Sequence, residues 1–182
     1  MRLFVALDLP DEIREGIIGV INNLQATCYS DVKWVSPENL HITFQFIGDT
    51  KEEDVPEINK SLTANFSEVA NLEFSEPKLE IIPGRDPKVI WISLENNEQN
   101  LAKASRRLKS KVREMGYKID SRKLNFHITL GRIKKRLPEN LINQILTTEL
   151  KLNNFNVAKV TLYKSLLKPS GPRYIEIFDL KI

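Results

Sequence analysis

The two histidines of this 182-residue chain stand in the same tripeptide, His41-Ile42-Thr43 followed by Phe44 and His127-Ile128-Thr129 followed by Leu130. Given the 19 isoleucines and 8 threonines present, composition alone would produce that double match with odds of roughly 2 in 100,000. The alternation around each motif constrains the fold. Leu40, Ile42, Phe44 and Phe46 fall on one side of an extended chain, with His41, Thr43 and Gln45 on the other. Phe126, Ile128 and Leu130 repeat the pattern against His127 and Thr129. Each motif is therefore read as a strand with one face buried and an imidazole and a hydroxyl on the opposite face, about 6.6 Å apart along the backbone.

The flanking segments repeat as well. Residues 2–8 read as a strand, and Pro10-Asp11-Glu12 opens a helix with proline in its first turn and acids at the positive end of the dipole. Ile13, Ile17, Val20, Ile21 and Leu24 form one apolar helical face. A short strand near residues 33–35 and the turn Ser36-Pro37-Glu38-Asn39 lead to the first motif strand, ended by Gly48-Asp49. A helix follows over about 52–66, then strands near 72–82 and 88–94 around the turn Pro83-Gly84-Arg85-Asp86-Pro87. A helix over 98–115, with Leu101, Ala104, Leu108, Val112 and Met115 in register, stops at Gly116. The second motif strand (124–133), a helix (138–148) and strands near 155–166 and 173–181 complete the chain, the last pair joined by Lys168-Pro169-Ser170-Gly171-Pro172. A strand and a helix thus precede each motif and a helix follows it. This order predicts one α+β domain over 1–182, with two pseudo-symmetric lobes, mainly antiparallel sheets, helices outside and the motifs at a central cleft.

Composition narrows the function classes. A hydrophobic fraction of 41% with 28% charged residues is ordinary for a globular chain long enough to bury a core without staples. The single cysteine, Cys28, cannot form an internal disulfide and reads as packing near a helix end. Two histidines without an acidic cluster fall short of a three-ligand catalytic metal site, so neither a metal nor a cofactor is expected. The charge-interrupted opening Met1 to Asp8 reads as a strand rather than a signal or a membrane span, which leads to the expectation of a cytoplasmic protein with no membrane contact. Net charge is only +3, so local clusters carry the case for an anionic partner. Arg106, Arg107, Lys109, Lys111 and Arg113 read as a solvated helix face, whereas Arg132, Lys134, Lys135 and Arg136 directly follow the second motif and suit phosphate or RNA. Phe44, Phe46 and Trp91 fit the core; Trp34 and Tyr174 fit either the core or a cleft wall on which a base could stack.

A neutral imidazole accepts a proton and an imidazolium donates one, so a matched pair can serve both halves of an acid–base reaction. A phosphoryl group lying between the strands would meet both threonine hydroxyls and one imidazole at each apical oxygen. A lone His-x-Thr is ordinarily just part of a polar sheet face. The duplication, which uses every histidine, is what favours chemistry.

Lys33-Trp34-Val35-Ser36-Pro37-Glu38-Asn39-Leu40-His41-Ile42-Thr43-Phe44-Gln45-Phe46-Ile47-Gly48 and Phe126-His127-Ile128-Thr129-Leu130-Gly131-Arg132 resemble the paired His-x-Thr motifs of the two-histidine phosphoesterase superfamily, in particular its RNA 2′,3′-cyclic phosphodiesterase (2′-5′ RNA ligase) branch. The opening Arg2-Leu3-Phe4-Val5-Ala6-Leu7 and the closing Leu162-Tyr163-Lys164-Ser165 with Gly171-Pro172-Arg173-Tyr174 are similar to the same branch, so the likeness spans the chain. One position departs from it: where the family commonly has proline before its second histidine, this chain has Phe126. The resemblance implies a two-lobed fold and metal-free hydrolysis of a terminal 2′,3′-cyclic phosphate on RNA to a 2′-phosphate. It further implies His127 as proton acceptor, His41 as donor, Thr43 and Thr129 as phosphate ligands and Arg132 as a neutralising charge; no obligate protein partner is inferred from the sequence. The alternatives are another two-histidine phosphodiesterase or ligase, and a noncatalytic module that binds RNA ends.

Overall fold

In the computed structural model, residues 1–28, 31–70, 72–82, 88–120, 122–169 and 171–182 are described. The strands are β1 (Arg2–Leu7), β2 (Val32–Trp34), β3 (Ile42–Asp49), β4 (Leu72–Ile82), β5 (Val89–Glu95), β6 (His127–Ile133), β7 (Phe155–Val157), β8 (Lys159–Lys168) and β9 (Gly171–Lys181). The helices are α1 (Asp11–Cys28), α2 (Val55–Phe66), α3 (Gln99–Glu114) and α4 (Glu139–Leu146), with 3₁₀ turns at Pro37–Asn39 and Glu52–Asp54. The turn expected at residues 83–87, and Ser170 of the turn expected at 168–172, lie outside the described residues.

The strands form one antiparallel sheet in the order β7-β4-β5-β6-β3-β1-β8-β9, and β2 also runs beside β6. Leu3, Val5 and Leu7 of β1, Ile42 and Phe44 of β3, Ile90 and Ile92 of β5, and Ile128 and Leu130 of β6 are buried with the apolar faces of the helices in one core. Ile13, Ile17, Val20, Ile21 and Leu24 of α1 are in that core, as their spacing requires. Leu101, Ala104, Leu108 and Val112 of α3 join them, and α3 stops at Gly116, whose φ of 88° favours glycine. Cys28 closes α1, buried, with its thiol on the Leu24 carbonyl; burial first and Asp31 second push it above the usual thiol range.

The α+β architecture with external helices is the one that the periodicity predicts. Strand β1, helix α1, strand β3 and helix α2 repeat as β5, α3, β6 and α4. The two motif strands are neighbours at the middle of the sheet, paired through Ile42 and Ile128. The halves are interleaved: β4, which follows the first half in the chain, pairs with β5 and β7, and β8 returns to pair with β1. The sheet also curls. Asn39 Nδ2 donates to the Pro172 carbonyl at 2.9 Å, bringing the β8–β9 hairpin to the loop ahead of the first motif.

Some boundaries differ from expectation for nonlocal reasons. The strand expected over 155–166 is two, parted at Ala158, because β7 serves β4 and β8 serves β1. The second motif strand begins at His127 rather than 124; before it, the Phe126 carbonyl accepts from Leu94 N–H at 3.0 Å and its ring meets Phe74 edge-on.

Candidate active site

With Ile42 opposite Ile128 in an antiparallel pair, Thr43 comes alongside His127 and His41 alongside Thr129. The four motif side chains therefore share one patch on the face away from the core. Both imidazoles are tethered in the same way. His41 Nδ1 lies 2.7 Å from the Asn39 carbonyl and His127 Nδ1 lies 2.9 Å from the Asn125 carbonyl. A carbonyl only accepts, so Nδ1 carries the proton in each ring and Nε2 is the atom available to the cleft. His41 Nε2 is 2.9 Å from Thr43 Oγ1, so this pair leans together across the backbone spacing expected of it. The tether repeats because the motif is longer than the tripeptide: Asn39-Leu40-His41-Ile42-Thr43 matches Asn125-Phe126-His127-Ile128-Thr129 at Asn, His, Ile and Thr.

The two histidines have different surroundings. His41 is packed among rings, with Phe4 at 5.1 Å and Tyr174 edge-on at 5.4 Å between centroids. Arg14 holds the approach to it by donating to the carbonyls of Pro37 and Leu40, both at 2.9 Å. Burial lowers the His41 pKa from its ordinary value; the Asn39 carbonyl and Asp8 oppose that, while His127 and Arg14 add to it. His127 lies under Trp91, 4.2 Å between centroids, and opens on a cavity of about 230 Å³. Thr43, Phe46, Arg122, Lys123 and Asn125 also line that cavity. Burial lowers the His127 pKa too, opposed by the Asn125 carbonyl. Among the described residues no cluster of three His, Cys, Asp or Glu side chains could hold a metal ion, and no helix is long and apolar enough to cross a membrane.

Arg132 is exposed on β6, opposite Lys33 of β2, and its charge reaches the Tyr174 hydroxyl on the His41 side. Burial nevertheless leaves the Tyr174 pKa raised. Trp34, the other ring that fitted either environment, packs beside Gly131.

Three expectations are corrected. Phe46 is not core but 51% exposed, because β3 bulges against β1: Thr43 pairs with Ala6 and Gln45 with Val5, leaving an extra residue that reverses the alternation. Trp91 alternates with buried Ile90 and Ile92 and so faces the site, where its Nε1 donates to Glu80 at 2.9 Å. Lys109 is only 9% exposed rather than solvated, and its Nζ donates to the Arg122 carbonyl at 2.7 Å. That bond helps set the loop that brings Arg122 and Lys123 to the His127 cavity. Nothing in the local pattern signals this loop; the repeated asparagine, in contrast, was visible in the sequence.

The 2′-5′ RNA ligase superfamily model matches residues 9–168. The chain belongs to that superfamily. A curated relative from Archaeoglobus fulgidus, named RNA 2′,3′-cyclic phosphodiesterase, is 32% identical over 97% of this chain and 98% of its own length. A relative of the same name from Methanocaldococcus jannaschii is 31% identical over 96% of both chains. The fold is shared with a Thermus thermophilus crystal structure, which superposes with a TM-score of 0.80 at 24% identity, covering all of this chain and 97% of that one. Escherichia coli LigT, solved in complex with 3′-AMP, gives a TM-score of 0.70 at 24% identity, with 100% and 97% coverage.

Proposed function

We propose that this chain hydrolyses the terminal 2′,3′-cyclic phosphate of RNA to a 2′-phosphate, and that residues 1–182 act as one unit in doing so. The reading rests above all on the two Nδ1-tethered imidazoles set diagonally across the paired motif segments that lead into β3 and open β6. Near-full-length relatives named for this reaction supply the substrate class. A cyclic phosphodiester needs a proton removed from water on one side of phosphorus and delivered to the departing oxygen on the other. In this proposal His127, beside the open cavity, takes the proton from water through Nε2. His41, enclosed by Phe4 and Tyr174, gives its proton to the 3′ oxygen. As water attacks, the P–O3′ bond breaks and phosphate stays on the 2′ oxygen.

Thr43 and Thr129 donate hydroxyl hydrogen bonds to the non-bridging oxygens as their charge grows. Thr43 leaves its bond with His41 Nε2 to do so, which frees that nitrogen for the 3′ oxygen. Arg132 adds long-range positive charge from the Tyr174 side. The test is product analysis with an RNA ending in a 2′,3′-cyclic phosphate, with divalent metals chelated. Phosphorus NMR should show a 2′-monoester; a 3′-monoester would reverse the substrate orientation, and an unopened ring would leave an RNA-end binding module.

A further inference from the structure

We propose that Asp8 is a positioning residue for His41: its carboxylate, held beside the ring on the site face of the sheet, supports the positive charge that the imidazole carries as proton donor. The inference rests on the two-histidine reading above. Strand β1 sends Leu3, Val5 and Leu7 into the core, which puts Phe4, Ala6 and Asp8 on the site face. Leu7 pairs with Ile42. One step further, the antiparallel register brings Asp8 beside His41, where cross-strand neighbours have Cβ atoms about 5 Å apart.

The carboxylate is 16% exposed and well held. Thr161 Oγ1 donates to Oδ2 at 2.8 Å and the Tyr163 hydroxyl donates to Oδ1 at 3.2 Å. An ion withdrawn from water needs such donors, and two hydroxyls are aimed at this one carboxylate. Lys159 Nζ stands 3.5 Å from Oδ2 but is closer to Glu176, at 2.9 Å. One cation is thus shared between two anions, and the group of three keeps one negative charge beside the imidazole.

The other groups around His41 push against its charge or are neutral. Arg14, on α1, and His127, on β6, repel an imidazolium. Phe4 and Tyr174 are uncharged rings, Thr43 and the Asn39 carbonyl are dipoles, and Arg132 and Arg2 act on the Tyr174 hydroxyl. Among the described residues, Asp8 is the one anion whose charge acts on His41. For His127, burial and its carbonyl tether are the leading influences. Asp8 therefore distinguishes two rings that the repeated motif makes alike, and it favours the proton on His41.

With two histidines in the chain, imidazole NMR titration reads each ring directly, and His127→Gln assigns them. Asp8→Asn keeps the shape and an acceptor while removing the charge; the His41 pKa should fall by about half a pH unit to one, with a smaller change at His127. Lys159→Met, which leaves Asp8 uncompensated, should raise the His41 pKa. On cyclic-phosphate RNA, Asp8→Asn should move the alkaline limb of kcat/KM to lower pH, costing up to about tenfold above that limb and little below it. Asp8→Glu should restore part of the limb. A uniform loss at every pH, or a His41 titration that neither substitution moves, would overturn the proposal. If Asp8→Asn fails to fold, the direction of the Lys159→Met shift decides. The expected NMR shifts in a wild-type protein that leaves the cyclic phosphate intact would refute the proposed reaction and leave the carboxylate–imidazole coupling standing.

Discussion

Thr43→Val tests the site at the point where both histidines meet. Valine keeps the branched shape suited to β3 and replaces the hydroxyl by a methyl group. Two interactions are lost: the 2.9 Å bond to His41 Nε2 in the free protein, and the donor proposed for the phosphate in the transition state. The first is a single hydrogen bond at a part-buried site, so its net effect on stability is at most about 1 kcal/mol. For a chain of this length that corresponds to a melting shift of no more than about 2–4 °C. The second acts where charge develops, where removal of one preorganised donor lowers kcat by about 10²–10³. The expected result is a kcat/KM about 100-fold below wild type, equivalent to about 2.7 kcal/mol of transition-state stabilisation, in a protein that melts nearly normally. Single-turnover cleavage of an end-labelled cyclic-phosphate RNA, beside calorimetry on the same sample, separates the two effects. Activity within about threefold of wild type would remove Thr43 from the phosphate site. A loss matched by a melting shift of about 10 °C would make its role structural.

His41→Ala and His127→Ala should each lower kcat by at least about 100-fold with the fold retained by circular dichroism, since each deletes one proton-transfer group. The pH dependence of kcat/KM should be a bell whose two apparent pKa values belong to the coupled pair, because the rings interact through adjacent strands. Stability should respond to both rings: their folded pKa values lie below the ordinary 6.5, so the unfolded chain binds more protons and folding weakens as pH falls from about 6.5 to the lowered folded values. Urea titrations of wild type and of His41→Asn/His127→Asn at pH 7.5 and 5 should show a smaller loss in the double variant. Gly131→Ala would place a Cβ 2.6 Å from Val32 Cγ1 and 3.3 Å from the Lys33 carbonyl, pushing β2 off β6 at a cost of about 1–3 kcal/mol, read by urea denaturation.

The motif side chains were legible in the sequence because strand alternation is a local rule and the tripeptide repeats. The helices were legible for the same reason: the buried stripes of α1 and α3 recur at helical spacing whatever they pack against. Phe46 was not, since a bulge is set by the partner strand, and β1 gives no sign within β3 of where the extra residue falls. Trp91 shows an alternation applied too loosely: its neighbours Ile90 and Ile92 already claim the buried face. Arg122 and Asp8 owe their places to long-range partners, Lys109 on α3 for one and Thr161 and Tyr163 on β8 for the other. Arg122 carries no periodic signal, and the alternation that puts Asp8 on the site face is silent about the hydroxyls that hold it. The pairing of β1 with β8 was equally out of reach, because it joins Phe4 to Tyr163 across most of the chain.

That pairing also orders events as the chain is made. β1 leaves the ribosome first, and β3 follows soon enough to cover one edge, but the other edge waits for residues 160–164. Asp8 waits with it, since both of its hydroxyl donors are on β8. A topology with such distant contacts folds slowly, and an open apolar strand invites other chains in the interval. A stop codon ahead of β8 would therefore release a polypeptide with both histidines present and one flank of the sheet bare. Such a product would be lost to aggregation before its chemistry could be assayed.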